Sequence, residues 1–132
     1  MIKKTPAFNL QEVLIVLAII GILLLLALPN LMPLISKAKS VEAQTQLKYL
    51  YNSQTSYRYM YSKYTYDLNE LDFEAPKTVT QGGTANYSYE ILEANNSSFK
   101  AKATAVTDFD GDGVFNVWMI DENGVPKQEV KD

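Results

Sequence analysis

Between Val13 and Leu28 the chain runs for sixteen residues, VLIVLAIIGILLLLAL, with no charge and no hydrogen-bonding side chain, and Glu12 stands directly before them. As a helix this run spans ~24 Å, slightly short of a ~30 Å hydrocarbon core. Extension through Pro29 and Asn30 to Ile35 supplies the missing length. A carboxylate at the edge of such a segment is costly to desolvate, so Glu12 needs a purpose.

Three readings compete for residues 1–35. A secretory signal peptide requires a small-x-small cleavage site after the apolar run. Leu28-Pro29-Asn30-Leu31-Met32-Pro33 provides none. A plain membrane anchor, with Lys3 and Lys4 held in the cytoplasm and the rest facing outward, explains the lysines and the apolarity. It leaves Gln11-Glu12 without a role.

The third reading covers the whole pattern. A basic stub ends in Ala7-Phe8, Glu12 is the fifth residue counted from Phe8, the apolar run follows, and Pro29 is the twenty-second. This arrangement resembles the class III signal peptide and N-terminal helix of type IV pilins and type II secretion pseudopilins. The resemblance implies that Met1–Ala7 is a leader removed by a prepilin peptidase and that the new Phe8 amine is methylated. Ala7 stands where the family usually has Gly, and Asn9 and Gln11 replace the commoner Thr and Ile or Leu. Cleavage would create a positive amine at Phe8. In a bundle of such helices the Glu12 carboxylate of one subunit can neutralise the Phe8 amine of a neighbour. A broken buried pair leaves a lone charge, so the pairing acts as a register device more than as a source of strength. The alternative is that Glu12 faces the headgroups or its own amine. Pro29 lacks an N–H and disrupts a helix locally, and Pro33 repeats the disruption. Residues 29–33 are therefore expected at a break.

The remainder is ordinary and polar. Without Lys3 and Lys4, 10 of the 12 basic residues face 15 acidic ones, a balance of −5. So acidic a body argues against nucleic acid as a partner. The absence of Cys removes disulfides and thiolate chemistry, and the absence of His removes the usual general base. No nucleophile–base pair is visible, so an enzyme is the least favoured class.

From Ser36 to about Tyr61 a helical period returns through Ala38, Val41, Ala43, Leu47, Leu50, Ser53 or Gln54, Tyr57 and Met60–Tyr61. Seven of nine tyrosines lie between Tyr49 and Tyr66, some expected to bury and the rest to meet neighbouring subunits. Residues 64–85 read as loop with one short helical turn. Strands are expected at Asn86–Leu92, Phe99–Val106 and Val114–Ile120, with Asn95–Ser98 as a hairpin loop and Glu122-Asn123-Gly124 as a turn. The fold class is α+β: a long N-terminal helix, membrane-spanning in its first half and amphipathic in its second, packed on three to four antiparallel strands. The expected divisions are a leader at 1–7, a transmembrane and assembly segment at 8–35, and a soluble domain at 36–132.

Asp108-Phe109-Asp110-Gly111-Asp112-Gly113-Val114 matches the start of a calcium loop: carboxylates at positions one, three and five, and Gly at six. The Val114 carbonyl and Asn116 fall at seven and nine. Position twelve is Met119, which offers no oxygen, so a complete EF-hand is excluded. A β-loop Ca²⁺ site, with Asp121 as a fourth carboxylate across the hairpin, stands beside the plainer reading of an Asp-Gly turn. Type II secretion major pseudopilins resemble this arrangement.

These observations lead to an inner-membrane, single-pass subunit with a periplasmic C-terminal domain, polymerising through its N-terminal helices. The expected partners are an assembly platform and minor pseudopilins or pilins. A secretion pseudopilin is favoured on three features: no Cys, a small body and the Asp-rich hairpin. A surface pilus subunit for adhesion or motility is the alternative, followed by a monomeric anchored calcium-binding module.

Overall fold

The computed structural model describes residues 9–27 and 32–131. They fall in two compact units that divide between Met32 and Pro33. In the first, helix α1 (Leu10–Ala27) is 18 residues long with none buried. By length and composition it can cross a membrane. Pro29 and the leader junction Ala7–Phe8 lie outside the described residues.

The second unit is built on helix α2 (Met32–Tyr61) and a sheet of β1 (Tyr87–Ala94), β2 (Phe99–Ala105), β3 (Val117–Asp121) and β4 (Lys127–Val130). The strands form an antiparallel meander in the order β1-β2-β3-β4. The α+β architecture expected from the sequence is present. Pro33 falls in the first turn of α2, where its missing N–H has no intrahelical partner to lose.

The buried stripe of α2 is Ser36, Ser40, Ala43, Leu47, Leu50, Gln54 and Tyr57, alternating four- and three-residue steps. Ala38 and Val41, expected on this face, are exposed, as are Met60 and Tyr61. The face is rotated because two serines, not the nearby apolar residues, meet the sheet side. Ser40 can be buried there because its hydroxyl donates to the Lys37 carbonyl at 2.7 Å. Opposite this stripe, β2 presents Phe99, Ala101, Ala103 and Ala105, all buried. Tyr87 and Tyr89 of β1 and Ile120 of β3 complete the cluster.

The loop between α2 and β1 contains two 3-10 turns, Leu68–Glu70 and Val79–Gln81, where the sequence suggested one. Asp67 caps the first and a Thr78–Gln81 capping box closes the second. Strand β3 begins at Val117, three residues later than expected. Residues 106–116 are taken instead by the acidic loop.

Candidate functional site

Two regions carry the candidate chemistry, and each is shaped by local hydrogen bonding. At the start of α1 the Asn9 side-chain oxygen accepts the Glu12 amide at 2.9 Å, and the Asn9 carbonyl accepts the Val13 amide at 3.2 Å. Asn9 is therefore the N-cap, and Glu12 is the third residue of the helix, in its first turn. The helix dipole favours a carboxylate at that place. A residue read in the sequence only as a departure from a commoner Thr proves to define where α1 begins.

The acidic loop is a chain of side-chain-to-amide bonds. The Asp108 carboxylate accepts the amides of Asp110 (3.3 Å), Gly111 (2.9 Å) and Gly113. Asp110 accepts the Asp112 amide at 3.1 Å, and Asp112 accepts the Val114 amide at 2.8 Å. The path requires left-handed backbone at Gly111 (φ 79°) and Gly113 (φ 85°), which glycine adopts without strain. Burial acts to raise the Asp108 carboxyl. The Gly113 and Gly111 amides, with the Asp110 side chain and amide, outweigh it and hold the group below its usual range. Phe109 turns the other way, meeting the Tyr87 ring edge-on at 5.8 Å between centroids, with the Lys39 ammonium 4.6 Å from its own centroid. Carboxylates face outward and the ring anchors the loop inward.

Of the six residues considered for a cation, the loop brings Asp108, Asp110 and Asp112 together, with one carboxylate oxygen from each lying within 4.8 Å of the others. Val114 belongs to the same loop. Asn116 does not join them. It is fully buried, and its side-chain oxygen already accepts the Tyr87 hydroxyl at 2.5 Å and the Trp118 indole N–H at 2.8 Å. Its amide nitrogen donates to the Val130 carbonyl at 2.8 Å. Asp121 is at the wrong end of the hairpin. It pairs with Lys100 at the start of β2, whereas the loop joins the opposite ends of β2 and β3. Three carboxylates fit part of a calcium shell. Since Ca²⁺ takes six to eight oxygens, loop carbonyls and water would have to complete it.

No protein-family model matches the chain. Over 91 residues, 69% of its length, it is 42% identical to the type IV major pilin protein PilA of Myxococcus xanthus (strain DK1622). The chain belongs to a pilin-like family. The match spans 39% of that relative's own length. In this pilin-like chain an exposed apolar helix accompanies a small α+β body, as the sequence pattern implied, and the cap on its acidic first turn is added by the structure.

The sequence pointed to the three aspartates but missed what holds them. Phe109 was legible as the one aromatic residue within the Asp-Gly run. The structural use of Asn116 had no sequence signal, because its three partners come from β1, β3 and β4.

Proposed function

We propose that this chain is the structural subunit of a helical filament, held in the inner membrane by α1 before assembly and packed through the same helix afterwards. One observation carries the proposal: α1 leaves every apolar residue from Val13 to Ala27 uncovered, on a chain similar to a type IV major pilin. Such a surface requires lipid or other copies of itself to cover it. On this reading a prepilin peptidase cuts between Ala7 and Phe8, the new amine is methylated, and Glu12 pairs with a neighbour's amine to fix the axial offset. Tyr49, Tyr59, Tyr61 and Tyr66 are exposed on the body and suit contacts between subunits or with minor subunits. The three clustered aspartates would hold Ca²⁺, which would offset two of their three negative charges.

Two kinds of filament fit. A surface pilus follows from the relative's role as a major pilin. A type II secretion pseudopilin follows from the Cys-free body and its Asp-rich hairpin. Deleting the gene and shearing the parent cells separates them. A pilus subunit is recovered in the sheared fraction, and its loss leaves protein secretion intact. A pseudopilin stays in the envelope, and its loss strands secreted proteins in the periplasm. A deletion strain normal in both respects would overturn the proposal.

A further inference from the structure

The first turns of α2 and the strands β3 and β4 enclose a cavity of about 510 Å³. Lys37 and Ser40 contribute from the helix, and Trp118, Gln128 and Lys131 from the sheet side. The two ammonium groups thus come from opposite walls. Among the described residues no carboxylate lines the space, although acidic residues outnumber basic ones 15 to 12 in the chain. The aromatic wall is fixed: the Trp118 N–H donates to the buried Asn116, and Trp118 is paired in register with Gln128. Ser36, also on the lining, follows the last residue of α1 by nine positions. Nine residues of extended chain span at most ~32 Å, so chain length allows this wall to meet the surface of a bilayer that α1 crosses.

Two cations, hydroxyl and amide groups and a half-buried indole suit a phosphate attached to an apolar body. Lysine binds phosphate as a point charge, and Trp is at home at the membrane–water boundary. We infer that this cavity receives the phosphate of an anionic phospholipid headgroup, with Lys37 and Lys131 as its cations and Trp118 as its wall. The bound headgroup would orient an otherwise acidic body on the membrane before assembly. The inference rests on the membrane-held state proposed above, but it does not depend on filament formation.

Trp118 is the only tryptophan in the chain, so its fluorescence reports this cavity without background. The full chain, reconstituted in phosphatidylglycerol vesicles, should emit at shorter wavelength than in phosphatidylcholine vesicles. The double substitution Lys37→Gln, Lys131→Gln should abolish the difference, and Lys37→Arg, Lys131→Arg should keep it. Equal emission in the two lipids overturns the inference. So does a difference that survives the Gln pair, or one lost equally in the Arg pair. Soluble glycerol phosphate added to the phosphatidylcholine sample should change nothing. If it reproduces the shift, the cavity takes dissolved phosphate and the lipid assignment is wrong. Because no filament is involved, failure here leaves the proposed function standing.

Discussion

Asn9 places Glu12: its side-chain oxygen accepts the Glu12 amide at 2.9 Å and so fixes this carboxylate in the first turn of α1. If Glu12 meets the amine of a neighbouring Phe8, Glu12→Ala removes a charge from the membrane edge and should leave insertion unchanged or improved. Assembly should fail, because the unpaired amine costs about 3–5 kcal/mol in a buried site. Membrane and filament fractions quantified side by side check this, and a normal filament yield refutes the register role.

Tyr89 carries a different kind of burden. Its hydroxyl is buried without a hydrogen-bond partner among the described residues. Burial first, then the charge of Glu42 and the nearby Tyr87, hold the phenol in its neutral form by pushing its pKa well above the usual value. The ring packs edge-on against Phe73 at 5.7 Å, a contact that phenylalanine would keep. Tyr89→Phe should therefore stabilise the fold by about 1 kcal/mol, since an unsatisfied buried group is removed. Thermal melts of the full chain in detergent measure it, and a lower Tm would point to an unseen partner.

Asn116→Ala should do the reverse. The substitution strips partners from the Tyr87 hydroxyl, the Trp118 N–H and the Val130 carbonyl. With three hydrogen bonds lost at about 1 kcal/mol each, a loss of at least 2 kcal/mol is expected. Hydrogen exchange should rise first in β4, the edge strand whose Val130 carbonyl accepts the Asn116 side chain in addition to its pairing with β3. Uniform exchange across the sheet would contradict that role.

What the sequence disclosed follows from what periodicity can encode. The alternation of Phe99, Ala101, Ala103 and Ala105 gave β2 and its buried face directly. The helical period gave Ala43, Leu47, Leu50 and Tyr57. It misplaced the first turns of α2 because Ser36 and Ser40 are buried by partner geometry that a hydrophobic pattern does not record. Strand β4 was illegible because all four of its residues are exposed, so no alternation marks it. At the candidate site, the three aspartates were readable from spacing alone. Asn116 and Asp121 were misassigned because strand register, not sequence distance, decides which residues meet.

Calcium offers a test of the loop. Three carboxylates held within 4.8 Å repel one another, and a bound cation would reverse that penalty. At a hundredfold excess over its dissociation constant, Ca²⁺ should add ~2.7 kcal/mol. Sites of the extracellular type are weak, roughly 10⁻⁴–10⁻³ M, so millimolar Ca²⁺ is the relevant range. Tm should rise with Ca²⁺ relative to chelator, Mg²⁺ should substitute poorly, and Asp110→Ala should erase the difference. Coincident melting curves for the unmutated chain would make the loop a turn held by its own amides.

The filament itself is tested most directly by intact-mass spectrometry of the sedimentable fraction sheared or extracted from cells. This chain should be the main component and should begin at a methylated Phe8, without Met1–Ala7. Finding it only as a detergent-soluble monomer, with Met1–Ala7 still attached, would rule out a filament built from processed subunits.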